Sequence, residues 1–464
     1  MLNKNVIPEL IKVLGASRVK TDQETLISYS YDGTFQESLP EVVVKPTTVE
    51  QVSQIMKIAT KYRAIVIPRG AGTGLSGGVV PLKGGIVMEM TAFNRILEIN
   101  TVNKYAVVEP GVTTNELALE VEKLGLFYPP DPASGKTSTL GGNVAECAGG
   151  PRGVKYGVTK DYVLELEVVM PDGEILTLGN RIDGETGWFD LPLLLTGSEG
   201  TLGVITKIVL RLIDKPVTKQ TALAKYNSLV DAGNTVSTII KNGIIPTTIE
   251  IMDQTAIKAV ENFLQIGLDT EKEAFLIIEV DGLEVEVEKQ LKQVQDLCFA
   301  CGAVEVEVAT TPEKIAQLWK ARKSISGACG KINPTKIGED ATVPRSKIPE
   351  MIVNLRKIAE KYDLKMIIFG HAGDGNLHPN ILTDKRKTEE MARVEKAINE
   401  LFEVAVSLGG TLSGEHGVGY MKAPFLEMEI GPLGIEVSRK LKEVFDPLQI
   451  LNPDKIFSCV AKEG

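Results

Sequence analysis

Apolar positions along the chain switch repeatedly between two spacings. Residues 3–14 carry apolar side chains at helical intervals. "EVVVKP" is a short apolar run that predicts a strand. "TTVEQVSQIMKIATKY" follows, with Val49, Val52, Ile55, Met56 and Ala59 on one helical face behind a Thr47 or Thr48 cap. "RAIVIP" returns to the strand pattern. After the glycine-rich "PRGAGTGLSGG", "GIVMEM" and "YAVVEPG" predict two more strands, and "TTNELALEVEKLG" a capped helix stopped by Gly125. "VLELEVVMPDGEILTLG" reads as a hairpin turning at Pro171-Asp172-Gly173, and "TGSEGTLGVITKIVLRL" ends in a strand. Between them, Pro129–Gly157 is a long stretch dense in glycine and small residues, read as loop-rich and functional.

The pattern shifts at Lys215-Pro216. Residues 217–345 alternate strands and amphipathic helices, which predicts helices packed on one face of a sheet. A helix "SKIPEMIVNLRKIAEKY", a strand "LKMIIF", a long helix near 387–407 and a closing helix "EVSRKLKEVF" follow. The 464 residues suffice for two or three domains.

Charge narrows the function. A net charge of −10 with interleaved signs offers no basic stripe for nucleic acid and no polybasic membrane patch. The absence of a membrane-length apolar run or signal-peptide core predicts a cytoplasmic protein with no integral membrane segment. The cysteines, Cys147, Cys298, Cys301, Cys329 and Cys459, are too sparse for a disulfide framework. "CFAC" closes an amphipathic helix before Gly302, so Cys298 and Cys301 read as buried helix residues, and no second pair stands at iron–sulfur spacing.

Gly72-x-Gly74-x-x-Gly77 has the spacing of a dinucleotide fingerprint. That motif must open a helix whose N-terminus meets the pyrophosphate. Here Pro81 and a Lys83-Gly84-Gly85 turn intervene before the next strand, so a directly bound NAD is excluded. "SGKTS" fails as a Walker A motif because Pro130 stands where its first glycine belongs. What remains is a pair of loops, "PRGAGTGLSGG" and "STLGGNVAECAGG", whose successive N–H groups can clasp a diphosphate.

The three histidines, His371, His378 and His416, all fall in two glycine-rich segments, "GHAGDGNLHPN" and "GEHGVGYMK". Scatter is expected of packing histidines; this grouping points to a site. His371 and His378 can meet one divalent metal across the Gly373-Asp374-Gly375 turn, and Glu415 or His416 can complete a two-His, one-carboxylate set suited to Zn, Mn or Fe. Asp374 reads as a turn residue. If "NLHPN" is extended, Asn380 points the same way as His378. Glu415 and His416, adjacent on extended chain, would face apart and differ in role. Arg322, on a helix with Leu318 and Ile325, carries a fork suited to a carboxylate, and Lys336 precedes a strand.

Taken in order, "PRGAGTGLSGG", "PPDPASGKTSTLGGNVAECAGG", "GSEGTLGVIT", "GHAGDGNLHPN", "GEHGVG" and the tail "NPDKIF" resemble FAD-linked 2-hydroxyacid dehydrogenases of the vanillyl-alcohol-oxidase (PCMH-type) superfamily. The group includes glycolate oxidase catalytic subunits and D-lactate dehydrogenases. The resemblance covers nearly the whole chain. It implies an α+β fold: an FAD-binding domain of two α+β subdomains (residues 1–215), an α+β cap domain with an antiparallel sheet covered by helices for substrate and metal (216–424), and a C-terminal segment returning to the FAD domain (425–464). It implies that Arg69, Gly70, Ala71, Gly72, Thr73, Gly74, Leu75 and Ser76 hold the FAD diphosphate. Gly141, Gly142, Asn143, Ala148, Gly149 and Gly157 form a second contact stretch, and Asn452 comes back to the flavin. His371, His378 and Glu415 become the metal ligands, His416 the base, and Arg322, Lys336 and Asn380 the substrate-holding residues.

With no histidine before His371, a histidyl–FAD bond in the FAD domain is excluded, and non-covalent FAD is expected despite Cys147 in the flavin stretch. Relatives often carry a fused iron–sulfur domain that this sequence lacks. The expected activity is therefore oxidation of a small D-2-hydroxy acid, lactate first, with electrons passing to an electron-transfer flavoprotein and onward to NAD, with ferredoxin as a further recipient. Oxidation of glycolate or another 2-hydroxy acid with quinone or oxygen as acceptor is the alternative. A non-catalytic electron-transfer flavin subunit is a more distant one.

Overall fold

The computed structural model describes residues 2–34, 36–182 and 189–457; Cys459 lies outside them. The chain divides into two compact units. The first takes residues up to Gly149, Val158–Lys215 and the stretch from Glu415 on; the second takes Gly150–Gly157 and Pro216–Gly414.

The first unit contains two principal sheets, so it is an α+β unit built in two halves. The N-terminal sheet has the order β1 (Val19–Lys20), β2 (Val42–Val44), β4 (Ile86–Glu89), β3 (Val66–Arg69). β4 runs parallel to both β2 and β3, and β1 is antiparallel to β2. The helix Val49–Tyr62 crosses from β2 to β3, capped by the Thr48 hydroxyl on the Gln51 N–H, and buries Val52, Ile55, Met56 and Ala59 as its spacing predicts. The glycine-rich segment runs from β3 to β4 with no helix, so the exclusion of a Rossmann turn holds. Because β3 and β4 pair in parallel, the Lys83-Gly84-Gly85 turn is not a hairpin: a tight hairpin can only join antiparallel strands, and this link has to return the chain to its starting side.

The second half is an antiparallel sheet in the order β5 (Ile96–Asn100), β6 (Tyr105–Val108), β10 (Val204–Arg211), β8 (Val163–Val169), β9 (Ile175–Gly179). The β8–β9 turn at Pro171-Asp172-Gly173 forms as expected, with Gly173 at φ 87°. A small pair, β7 (Leu126–Phe127) and β11 (Ile213–Asp214), closes this half. The loop-rich stretch Pro129–Gly157 contains two short helices, Leu140–Glu146 and Gly153–Tyr156, that its glycine content hid.

The second unit is one large antiparallel sheet: β15 (Ala303–Ala309), β12 (Thr218–Tyr226), β14 (Ala274–Gly282), β13 (Thr248–Asp253), β18 (Lys365–His371), β19 (Asn376–Thr383), β16 (Thr335–Gly338), with β17 (Ala341–Thr342) also on β19. β13 and β19 are buried along their whole length, which makes them the spine of the unit. The helix Glu284–Ala300 ends at Gly302 as read; Cys298 is buried in it, while Cys301 is only half-buried at its end. The segment Gly150–Gly157 is held to this unit through Lys155 and Tyr156, both bonded to Asp281.

Candidate FAD cavity and histidine cluster

In the first unit, "PRGAGTGLSGG" and the helix Leu140–Glu146 face each other across two adjoining cavities of about 590 and 790 Å³. Gly70, Thr139, Gly142 and Glu146 line both. The residues from Ala71 to Leu75, with Asn143, Ala148 and Gly149, line the larger one; Arg69 and Gly141 line the smaller. Glycine is required where the walls approach. A Cβ on Gly70 would collide with Thr139 Oγ1, and one on Gly141 would stand 3.0 Å from the Pro110 carbonyl oxygen. Gly72 sits at φ 71°.

The donors needed for a diphosphate are present. Among the described residues, no backbone N–H from Gly70 to Val79 donates a hydrogen bond within the chain. The Ser76 hydroxyl is fully buried with no hydrogen-bond partner, and one Arg69 guanidinium nitrogen is likewise unpartnered, although the group stacks over Tyr29. Such a row of N–H groups is an anion nest. The nearby acids do not oppose an anion. Burial, then the neighbouring Glu199 and Asp32, pushes Glu146 well above the usual carboxylate range, and burial lifts Glu199 to about 7. These residues fit FAD.

Gly157, Ser76 and Asn452 do not line either of these two cavities. Gly157 belongs to the segment grouped with the second unit. Ser76 accepts the Tyr420 and Met421 N–H groups on its carbonyl, tying the tail to the loop. Asn452 does the same from the other end: its amide donates to the Gly78 and Glu199 carbonyls at 2.9 and 2.8 Å. Glu199, which the sequence reading did not select, accepts the Val418 and Gly419 N–H groups. Glu415 and His416 also line the larger cavity, with Glu415 Oε1 4.0 Å from His416 Nε2. The chain bends there, so the two side chains do not face apart as extended backbone would make them.

In the second unit, β18 ends at His371 and β19 begins at Asn376. Gly375, at φ 88°, makes the turn, and the Asp374 carboxylate accepts the Asn376 N–H at 3.3 Å, the turn role read for it. The antiparallel register sets Phe369 opposite His378 and Ile367 opposite Asn380. His378 and Asn380 share a face, as the extended reading requires, and both are buried. The His371 and His378 rings lie edge to face, 5.0 Å between centroids, with ring nitrogens within 4.8 Å. The Asn380 amide donates to the His378 carbonyl at 2.8 Å.

Arg322, on the helix Pro312–Lys323, is buried over the Phe369 ring. Its Nε pairs with Glu250. Lys336 lies in β16 and donates to Ser326 Oγ at 2.7 Å; burial lowers its pKa, while the nearby Cys329 acts the other way.

Two acids in this unit escaped the sequence reading. Glu250, on β13 directly opposite His371, accepts from His371 Nδ1 at 2.7 Å as well as from Arg322. Burial alone would raise its pKa, but Arg322 and His371 outweigh that and hold it below the usual carboxylate range. Asp340 is fully buried, accepts from Ser413 Oγ and the Gly414 N–H, and brings a carboxylate oxygen within 4.8 Å of a His378 ring nitrogen. The available signal was an acid inside an apolar strand, "TIEIM", for the first, and an acid beside Glu339 in "GEDATVP" for the second.

The C-terminal domain model of FAD linked oxidases matches residues 215–456, and an FAD binding domain model matches residues 40–179. The chain belongs to the FAD-linked oxidases. It is 46% identical over its whole length to the glycolate oxidase subunit GlcD of Bacillus subtilis, covering 99% of that protein. It is 40% identical to GlcD of Escherichia coli K12 over 96% of this chain and 89% of that one. To the D-lactate dehydrogenase of Anaerostipes hadrus it is 36% identical over 97% and 98%. p-Cresol methylhydroxylase shares the fold, with a TM-score of 0.80 at 17% identity over 98% of this chain and 96% of that one. The family read from the loops is borne out, as are the PCMH-type α+β fold and FAD as cofactor. The chain is an FAD-linked oxidoreductase. Among the described residues, no helix is long and apolar enough to cross a membrane.

Proposed function

We propose that this protein oxidises a small 2-hydroxy acid to the 2-oxo acid, with D-lactate as the expected substrate. The observation that carries the reading is the histidine cluster of the second unit, where a cation-binding pair and a forked guanidinium stand on neighbouring strands and helix of one sheet. That donor set suits a divalent metal held by His371 and His378, with Glu415 as the third ligand. When bound, FAD supplies a two-electron acceptor for the hydride leaving the α-carbon, and an Fe, Zn or Mn ion supplies the charge that lowers the hydroxyl pKa.

The chain's own residues do the rest. Arg322, with Nε committed to Glu250, turns its two terminal nitrogens to the substrate carboxylate, a bidentate geometry. Lys336 adds a second positive group, and burial limits how many waters compete for it. Asn380, held by its own bond to the His378 carbonyl, positions the substrate oxygens. His416 removes the hydroxyl proton; its place on the wall of the FAD cavity supports that role. The reduced cofactor passes electrons to a partner protein, an electron-transfer flavoprotein in this reading; that the GlcD relatives are named as oxidase subunits supports a partner chain.

Glycolate is a second reading, favoured by the two relatives named glycolate oxidase at 46% and 40% identity. Anaerobic mixing of the FAD-loaded protein with D-lactate, L-lactate, glycolate and longer 2-hydroxy acids tests both. Bleaching of the flavin by D-lactate supports the first reading, and faster bleaching by glycolate moves the substrate to the second. No bleaching by any 2-hydroxy acid refutes the function.

A further inference from the structure

Glu250 occupies an unusual position. It is fully buried on the central strand β13, and its two carboxylate oxygens are divided between two different functional side chains: Oε1 to His371 Nδ1 at 2.7 Å, Oε2 to Arg322 Nε. The partners arrive by different routes. His371 is set opposite it by the β13–β18 register, and Arg322 reaches it from the helix Pro312–Lys323. Phe369, two residues before His371 on the same strand, lies under the Arg322 guanidinium and against the His378 ring, which closes the group from below.

We propose that Glu250 is a positioning residue that ties the metal-binding His371 to the carboxylate-binding Arg322, so that one buried side chain orients both the cation site and the substrate clamp. This rests on the roles proposed above for His371 and Arg322. The chemistry is specific. A carboxylate only accepts, so His371 must carry its proton on Nδ1, and Nε2 then holds the lone pair that a metal needs. The same carboxylate takes Arg322 Nε and leaves the paired terminal nitrogens to grip a second carboxylate. A buried carboxylate with two partners also resists rotation, because turning away from them leaves a buried charge without its hydrogen bonds.

The isosteric change Glu250→Gln separates this from mere packing. A glutamine accepts on one atom and donates from the other, so it cannot satisfy both partners. If its oxygen stays with Arg322, its NH₂ faces His371 and selects the Nε2–H tautomer, which cannot ligate. If its oxygen turns to His371, a donor faces Arg322 and the clamp is released. The experiment uses the FAD-loaded full-length protein, with Zn²⁺ affinity measured by chelator competition in the absence of substrate, and with kcat and KM for whichever 2-hydroxy acid reduces the flavin. Zn²⁺ affinity is expected to fall about 10- to 100-fold where the oxygen stays with Arg322, and KM, measured with saturating metal, to rise where it turns to His371, in protein that still folds and binds FAD.

Zn²⁺ affinity and KM both within twofold of wild type overturn the proposal; a loss in either supports it, and the one spared marks the partner that keeps the glutamine oxygen. Should Glu250→Gln fail to fold, Glu250→Asp is measured the same way. It keeps the charge but is one methylene too short to reach both partners, and wild-type values for it also overturn the proposal. His371→Ala is the control for the underlying reading: if it binds Zn²⁺ as wild type does, the metal site itself is wrong. If it loses Zn²⁺ while Glu250→Gln keeps both Zn²⁺ affinity and KM, only the role of Glu250 fails.

Discussion

Replacing Gly70 by alanine tests whether the two glycine-rich stretches work as one clasp. The new Cβ would point at Thr139 Oγ1 from well inside 3.0 Å, a separation that real Cβ atoms do not show. Ordinary contact requires the hydroxyl to retreat by about 1 Å, overpacking of the kind that costs about 1–3 kcal/mol. Two relaxations are open. Thr139 can rotate, abandoning its cap on the Gly142 N–H at the start of the helix Leu140–Glu146, for about 1 kcal/mol of stability. Alternatively, the loop and the helix can move apart. The first loss is felt with and without FAD. The second is felt mainly in the complex, because Gly70 and Gly142 line both cavities and the ligand has to reach both walls. The expected result is an FAD dissociation constant raised about tenfold, equivalent to about 1.4 kcal/mol, with a drop of about 1 kcal/mol in stability of the FAD-free protein. Flavin fluorescence titration and urea unfolding measure the two. Thr139→Ala supplies the decisive comparison: it removes the colliding group, so the Gly70→Ala and Thr139→Ala losses in affinity should not add. Additive losses, or Gly70→Ala binding FAD within twofold of wild type, would refute the clasp.

The remaining predictions concern protonation, the histidine turn and the base. Glu199 titrates at about 7 in the folded chain against 4.5 for an ordinary glutamate, so between those values the folded state holds more protons and stability must fall as pH rises. The full shift corresponds to at most about 3 kcal/mol, present below pH 4.5 and lost above 7; Glu199→Gln should make the pH slope of urea midpoints of the FAD-free protein shallower across this window, with Asp253 and Glu146 keeping part of it, and parallel curves for the two proteins would contradict it. Gly375→Ala places a side chain at φ 88° and drives its Cβ into the Val343 carbonyl, so a loss of about 1–3 kcal/mol is expected, with weaker Zn²⁺ retention because the turn carries His371 and His378. A Zn²⁺ affinity equal to wild type would separate the turn from the cation site. His416→Ala should cut anaerobic flavin reduction by about 10²-fold or more while FAD stays bound; wild-type reduction rates would remove His416 as the base.

Where a requirement was local, the sequence alone determined it. Glycines that let two loops approach, a proline and a turn that deny the Rossmann helix, an Asp-Gly turn between two histidines and the 3.6-residue spacing of Val52, Ile55, Met56 and Ala59 all act within a few residues, so their spacing carries their meaning. Tertiary structure decided what depends on register and burial between distant segments. β4 inserts between β2 and β3 and makes the glycine loop a parallel crossover. Glu146 and Glu199 meet beside the same cavity, where burial turns them from ordinary acids into groups that favour the neutral form. Glu250 shows the limit most sharply: 121 residues from His371 and 72 from Arg322, it joins them only because two strands pair in one register and a helix packs against them. No periodicity or motif encodes that meeting, since a buried carboxylate in an apolar strand acquires its role from the partners that the fold delivers.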